Sequence, residues 1–594
     1  MFLERSKGPI YTLSLVVLFL FVTTAAMYSV ITPAWETPDE VGHFDYVVHL
    51  LTYRVLPMQR MGQLGEAHQP PLYYMIAAIA AFPAEINDSI GAFRPNPRFM
   101  WSGHGFNEVN ASFHNSDETF PFRGQSLVLH LARGISVLMG MVTVALVIRM
   151  GLIIFPDRPV IALLAGVLVA FNPQFLFISG SVNNDNLLTL SATGAWWQVL
   201  HALKRPKQGR QWIYVGIWVA IAIMAKLSGF VVAVVTGIGL AVSAIHKRSI
   251  KIFVQGALAL ILPVILITGW WFARNQILYG DPLGWAMFKN VYSVAFRNSP
   301  LQWNDLYLFF TTQINSFWGV FGWLNVWAPS WFYTFMRISG LLGFLGVGFF
   351  VVRRYNRLSS FQRMALIIMV LAVMAQEFFI LWSITRLDAA WYQGRFLFPV
   401  IGPGMILMSL GLVSLLTDRL VLPLVSGLAL VSIAVYMPFG VISPAYEIVP
   451  LPKWKLWLVP NKTDLTFGDH FKLKGFEVRE GTNGSQVTLT LYWQSVERPD
   501  FDYSVFVHLI DESNQLVAQK DHAPGENQGY PPTVWWPGDI VADEHRINIS
   551  SVLAPGSYHF RVGVYNWATR EQLPVSSKVE PIGSFAILGQ WQYH

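Results

Sequence analysis

About eleven apolar runs, each on the order of the 20 residues that a bilayer-crossing helix needs, take up most of the chain before residue 440. They lie near residues 10–31, 127–154, 159–180, 187–203, 211–227, 229–246, 252–272, 334–352, 364–383, 395–416 and 420–438. Hydrocarbon satisfies no backbone polar group, so runs of this length leave the helix as the only practical conformation. With 53% hydrophobic and only 13% charged residues, the chain is too apolar for an ordinary soluble domain. The expected fold is a polytopic α-helical membrane protein. Only Arg5 and Lys7 precede the first run, which is longer than the roughly 7 to 15 residues of a signal-peptide core and reads as an uncleaved anchor.

Charge sets the expected topology. With a cytoplasmic N-terminus, alternate loops on that side receive Lys204-Arg205-Lys207-Arg210, His246-Lys247-Arg248-Lys251, Arg353-Arg354-Arg357-Arg363 and Arg419, as the positive-inside rule requires. The other side then receives segment 32–126, the turn Ser181 to Asn186, the long loop 273–333, the loop Arg386 to Gly394 and everything after about residue 440. The net charge of +6 is accounted for by these clusters; no basic patch or aromatic reader motif points to nucleic acid. The chain has no cysteine, which excludes disulfides, thiolate metal sites and a cysteine nucleophile.

From Asn461 the pattern changes to period two, as in Val487-Thr488-Leu489-Thr490-Leu491-Tyr492-Trp493 and Tyr558-His559-Phe560-Arg561-Val562-Gly563-Val564. Turn signals at Asn483-Gly484 and Pro555-Gly556 separate such runs, the signature of an all-β sandwich. The expected domains are therefore 1–440 in the membrane, with the loop 32–126 outside, a linker at 441–460 and a sandwich at 461–594 on the outer face.

Straight after the first apolar run comes Glu36-Thr37-Pro38-Asp39-Glu40-Val41-Gly42-His43. Thr37 as N-cap, Pro38 at the first helical position and Glu40 three residues on form a capping box. That account leaves Asp39 free. At 100° per residue, His43 and Tyr46 fall within about 40° of Asp39, and Val41, Phe44, Val48 and Leu51 fall opposite. The expected helix lies along the membrane with Asp39, His43 and Tyr46 on its polar face. The same loop carries Glu66-Ala67-His68-Gln69-Pro70-Pro71-Leu72-Tyr73-Tyr74, and Asn183-Asn184-Asp185 places a further carboxylate on that side. Arg274 and Asn275 follow Trp270-Trp271, Gln393-Gly394-Arg395 opens the tenth run, and Lys226 sits within apolar sequence, where an ionisable group is costly enough to ask for a role.

Taken together, these pieces resemble the GT-C glycosyltransferases, the polytopic class that draws sugars from polyprenyl-phosphate carriers. The Thr37 to Phe44 loop followed by His68 to Tyr74 is similar to the protein mannosyltransferase and aminoarabinose transferase group. Asp39-Glu40-x-x-His43 with Gln393-Gly394-Arg395-Phe396 and Pro399 also resembles bacterial membrane proteins placed near that class. Asn183-Asn184-Asp185 matches its second acidic position, and Trp270-Trp271-x-x-Arg274-Asn275 with Tyr279-Gly280-Asp281 resembles its recurrent loop. The likeness covers roughly residues 10–440; the sandwich is not part of it, and the soluble insert of the classical mannosyltransferases is missing.

The resemblance implies a transferase that moves a hexose or pentose from a polyprenyl-phosphate donor to a glycan, lipid or protein acceptor at the outer face of the plasma membrane. It implies Asp39 as base, with in-line attack and inversion. Asp185 and Glu40 join it as catalytic candidates, and His43 and His68 as groups that orient the acceptor or a metal. Arg395, Arg274 and Lys226 are the candidates for the donor phosphate. A divalent cation, Mg²⁺, Mn²⁺ or Zn²⁺, would fall to Asp39, His43 and Asp185. Two other readings compete. A lipid-linked sugar flippase would place its charges near midplane in broken helices; a glycan-binding assembly protein would use Trp535-Trp536 and Asp539 of the sandwich, although tryptophan pairs in sandwiches are more often core.

Overall fold

The apolar runs become helices. A computed structural model describes residues 8–60, 65–86, 92–96, 99, 109–114, 118–204, 209–387, 392–446, 450–481, 486–526, 529–549, 553–577 and 580–593. Arg205, Lys207 and the Asn483-Gly484 turn lie outside them. The chain divides into two units, Met1–Ser89 with Arg123–Tyr446, and Ile90–Phe122 with Glu447–His594.

The first unit is helical. In order come α1 (Pro9–Ile31), α2 (Glu40–Tyr53), α3 (Leu72–Ala81), α4 (Gly124–Ile154), α5 (Pro159–Ala170), α6 (Pro173–Ser179), α7 (Asp185–Lys204), α8 (Arg210–Ala225) and α9 (Gly229–His246). There follow α10 (Ile250–Tyr279), α11 (Trp285–Val291), α12 (Trp303–Gly319), a short hairpin of β1 (Val320–Phe321) and β2 (Val326–Trp327), α13 (Ser330–Arg354), α14 (Ser360–Ile384), α15 (Ile401–Leu415) and α16 (Val421–Met437).

Among the described residues, eight helices are long and apolar enough to cross a membrane, or nine if α5 and α6, bent by 61°, make one span. The bend falls where Asn172 caps α6, its side chain accepting from the backbone of Gln174 and Phe175 ahead of Pro173. The remaining two of the eleven expected spans are α7 and α8. Helix α7 is nearly all buried and carries Ser191, Thr193 and Gln198, so its surface is set by protein neighbours. Close packing elsewhere relies on small residues: Gly346 of α13 lies against the backbone of Gly411 in α15, and Gly411 against that of Gly343, with no room for a Cβ on Gly346 or Gly411.

The second unit is built on ten strands: β3 (Asn461–Phe467), β4 (Phe471–Glu480), β5 (Gln486–Ser495), β6 (Ser504–Ile510), β7 (Leu516–His522), β8 (Ile540–Asn548), β9 (Gly556–Tyr565), β10 (Val575–Ser577), β11 (Glu580–Gly583) and β12 (Ala586–Tyr593). One sheet has the order β11-β10-β3-β4-β5-β8 and the other β12-β9-β6-β7. Alternation puts Leu489, Leu491 and Trp493 of one sheet and Val505, Val507 and Leu509 of the other into a shared core, the sandwich that period two predicts.

The unit also takes in part of the 32–126 loop, which the sequence pattern assigns wholly to the membrane domain. Phe113 enters the sandwich core and packs edge-on against Tyr530, with ring centroids 4.7 Å apart. Arg94 makes a two-pronged ion pair with Asp539, at 3.1 and 3.0 Å, and lies 4.1 Å over the ring of Trp536. No local pattern in 90–122 announces this attachment, to which Arg94 and Phe113 contribute among the described residues. The same contacts remove the residues a glycan-binding reading would use, since Trp535 is core and Asp539 is held by Arg94, the Tyr530 hydroxyl and the Trp536 amide. Replacing Arg94 with Ala leaves Asp539 buried without its cation, a loss of about 3–5 kcal/mol for such pairs. Hydrogen exchange at the amides of Phe113 and Tyr530 should accelerate by at least tenfold, and unchanged exchange would show that the ion pair does not hold this segment.

Candidate functional site

A carboxylate buried in a membrane protein has to find a cation. Glu40 finds Arg133, which projects from the middle of α4: Nε donates to Oε1 at 2.8 Å and Nη2 to Oε2 at 2.6 Å, and both side chains are fully buried. The rest of the guanidinium donates to the carbonyls of Ser29, Thr32 and Pro33 at the end of α1. Glu40 in turn accepts from the amides of Trp35 (3.2 Å) and Val182 (2.9 Å). These partners displace the capping box: α2 begins at Glu40, its N-cap is Asp39, and no side-chain cap is made. A buried guanidinium outcompetes a backbone amide for a carboxylate.

With Glu40 anchored, the chain turns through Asp39 in the left-handed region, at φ 66° and ψ 0°, a conformation uncommon for a residue with a Cβ. The Asp39 side chain stays 41% exposed, and Oδ2 accepts from Arg395 Nη2 at 2.6 Å. Burial works against its charge, but the charge and hydrogen bond of Arg395 outweigh that and hold the carboxyl below the usual carboxylate range.

Asp185, at the start of α7, accepts from Lys226 Nζ at 2.6 Å and lies 3.7 Å from Arg395 Nε. The Asn183 side chain accepts from the Asp185 amide and donates weakly, at 3.4 Å, to the Pro38 carbonyl; the Asn183 amide donates to the Tyr73 hydroxyl. The Asn-Asn-Asp turn thereby ties together the Asp39 loop, α3 and α7. Lys226 sits at the break between α8 and α9 with extended backbone, which is why an ionisable residue interrupts the apolar run.

Arg395 comes from a 3₁₀ segment, Gly394–Val400. Gly394 lies against the backbone of Phe317 in α12, where a Cβ would collide, and its amide donates to Ser316 Oγ at 2.8 Å. The ring of Phe396 has Arg395 and Lys226 each 5.3 Å from its centroid. The Arg395 side chain is 2% exposed, and its Nη1 is buried with no hydrogen-bond partner among the described residues.

Other expected residues have different surroundings. His43 and Tyr46 do not face solvent: His43 Nδ1 lies 2.8 Å from the Tyr74 hydroxyl, and Tyr46 stacks on Tyr74 at 4.0 Å between centroids. The face predicted to be polar is packed on α3, and Asp45 is the exposed position instead. Burial drives the His43 imidazole down, partly offset by Glu66 and Asp39, and raises the Glu66 carboxyl. His68, 3.9 Å from Glu66 and facing the rings of Phe288 and Tyr292, is pushed down by burial to about 4 and is therefore neutral at pH 7. Arg274 donates to the Pro57 carbonyl at 2.8 Å and lies 4.9 Å over Trp271, apart from the Asp39 ion pairs.

A cavity of about 560 Å³ opens beside this cluster, lined by residues that include Gly42, Asp45, Tyr46, Arg60 and Glu66. Its size is in the range that holds a small-molecule ligand. Asp39, His43 and Asp185 do not fit a divalent cation as arranged. Both carboxylates face Arg395, Asp185 also faces Lys226 and His43 faces Tyr74, so an ion there would sit among fixed positive charges.

Fold and site define a polytopic helical membrane protein with a β-rich C-terminal unit. Residues 128–271, which include Asp185 and Lys226, match the dolichyl-phosphate-mannose-protein mannosyltransferase family, so the resemblance seen in the sequence holds over that segment. No curated protein matches the chain. It is similar to the solved structure of ArnT from Cupriavidus metallidurans bound to undecaprenyl phosphate, at 13% identity and TM-score 0.42 over 68% of this chain and 60% of that one. It is similar to the Archaeoglobus fulgidus oligosaccharyltransferase in complex with Zn and sulfate, at 15% identity and TM-score 0.39 over 74% and 55% of the two chains. Arabinosyltransferase EmbB from Mycobacterium smegmatis aligns at 10% identity and TM-score 0.44 over 99% and 66%. The chain thus covers less than two thirds of each of these proteins.

Arg133 is the residue that sequence reading missed. An arginine within a run long enough to cross the bilayer is itself the signal. Arg133→Met should lower stability by about 3–5 kcal/mol because Glu40 is left buried and uncompensated. Adding Glu40→Leu should recover much of it; thermal unfolding in detergent reads both, and a silent Arg133→Met would exclude this pair as the anchor.

Proposed function

We propose that this protein is a glycosyltransferase of the GT-C type that moves a sugar from a polyprenyl-phosphate carrier to a glycan, lipid or protein hydroxyl on the outer face of the membrane. The observation that carries the proposal is the pairing of a partly exposed carboxylate, Asp39, with a buried guanidinium, Arg395, that has a donor without a hydrogen-bond partner among the described residues. The first suits a base and the second suits a phosphate.

The same ion pair supplies an order of events. Without donor, Arg395 holds Asp39 in a low-basicity state, poor for taking a proton. A carrier phosphate engaging Arg395, with Lys226 beside it, draws positive charge from Asp39 and raises its basicity. Asp39 then takes the proton of the acceptor hydroxyl as that oxygen bonds to the anomeric carbon. The bond from this carbon to the phosphate oxygen breaks, and its electron pair leaves with the polyprenyl phosphate. Displacement in line inverts the sugar carbon. Arg395 and Lys226 stabilise the departing charge, and fixed cations in a site of low dielectric do so strongly. Glu40 positions Asp39 through the buried anchor; Asp185 positions Lys226 and Arg395; His43 and His68, both biased towards the neutral form, line the acceptor side with Glu66. Arg274 shapes the cavity wall through Pro57 and does not meet the phosphate first.

Purified protein given a panel of polyprenyl-phosphate sugars should transfer one of them. Asp39→Asn should cut turnover at least about 100-fold while donor affinity stays level or tightens, because Arg395 is freed; full activity would end the assignment. Arg395→Ala should weaken donor affinity about 10- to 100-fold, the value of one or two charged hydrogen bonds, with acceptor KM little changed. Unchanged donor affinity would remove Arg395 from the phosphate site.

A further inference from the structure

We propose that His522, Asp543 and His545 form a divalent transition-metal site, of the zinc type, that fastens the two sheets of the sandwich along one edge. Strand β8 ends the six-stranded sheet and β7 ends the four-stranded one, so neither is covered on its outer side by a further strand. Asp543 and His545 are two residues apart on β8 and share its buried face, while Glu544 and Arg546 between and after them point outward. His522 ends β7 and reaches across to them. The donor atoms of all three lie within 4.8 Å of one another. His522 Nε2 is 2.8 Å from Asp543 Oδ1, His545 Nε2 is 2.8 Å from Asp543 Oδ2, and the two rings are 4.1 Å apart. Side-chain exposure is 10%, 2% and 0% for His522, Asp543 and His545.

Hydrogen bonding fixes the tautomer of one histidine. His545 Nδ1 lies 3.1 Å from the Lys520 carbonyl, which can only accept, so the proton is on Nδ1. In the neutral ring Nε2 is then a bare lone pair aimed at a carboxylate oxygen, which is repulsive unless a cation lies between them. The outer nitrogen of a metal-bound histidine is held by a carbonyl in this way. The alternative is an imidazolium at His545 beside a neutral His522 that donates from Nε2, one positive charge on one buried carboxylate. Either state leaves Nδ1 of His522 buried without a partner among the described residues. A divalent ion would take a lone pair from each imidazole and an oxygen from the carboxylate, and two nitrogens with one oxygen favour zinc over magnesium or calcium. A fourth position remains for water. This site lies in the sandwich unit and does not depend on the transferase reading.

The test uses the full chain in detergent, stripped with chelator, supplied with zinc and dialysed. Wild type should retain one equivalent of zinc by elemental analysis, and Co²⁺ in its place should give the visible absorption of a tetrahedral site. His522→Gln and Asp543→Asn should each weaken zinc binding at least tenfold, and zinc should raise the wild-type unfolding temperature but not theirs. Should Asp543→Asn fail to fold, His522→Gln, at the more exposed margin, gives the same answer. Retention of less than a tenth of an equivalent by wild type, or zinc binding untouched by His522→Gln, overturns the proposal. Sandwich stability lost as pH rises through the histidine range, with no response to zinc, overturns it in favour of a protonated histidine.

Discussion

Arg133 and Glu40 make the interaction on which the site unit is organised. One guanidinium uses its whole fork to close the end of α1 and to hold the first residue of α2. One carboxylate accepts from that fork and from two backbone amides, at Trp35 and Val182. Three separate stretches of chain meet there. Such a pair adds less to net stability than its short distances imply, because both ions are desolvated. What it supplies is register: the turn after Pro38 has only one place to go.

That placement explains the electrostatics next door. Asp39, Asp185, Arg395 and Lys226 form an alternating set of charges in which every ion faces an opposite one. The set is close to neutral and can be brought out of water, yet it is not closed, since Arg395 and Asp185 each retain a buried polar atom without a partner among the described residues. An anion can enter by exchanging partners rather than by moving helices. Preorganised cations of this kind need little rearrangement when charge develops on a leaving group.

Much of this was legible in the sequence. Length and hydropathy located the helices, and period two located β5 and β9. Asp39, Asp185, Arg395 and Lys226, scattered over more than half the chain, do come together. Other features were hidden for specific reasons. The capping box at Thr37 failed because its acceptor, Glu40, had a stronger partner 93 positions away. Helical angles group Asp39 with His43 and Tyr46, but Asp39 lies ahead of the helix in the left-handed region, and the angles could not tell a face turned to water from one turned to Tyr74. The attachment of 90–122 to the sandwich rests on long-range contacts of Arg94 and Phe113, which leave no periodic trace.

Gly394 gives the arrangement a mechanical side. Its backbone rests on that of Phe317 with no side chain between them, and its amide is tied to Ser316 on the same turn of α12. Arg395 is therefore mounted on α12 almost as rigidly as if it belonged to that helix. The aim of the guanidinium is thus set by a helix outside its own segment, so a change in α12 would reach Arg395 without altering the stretch of chain that carries it.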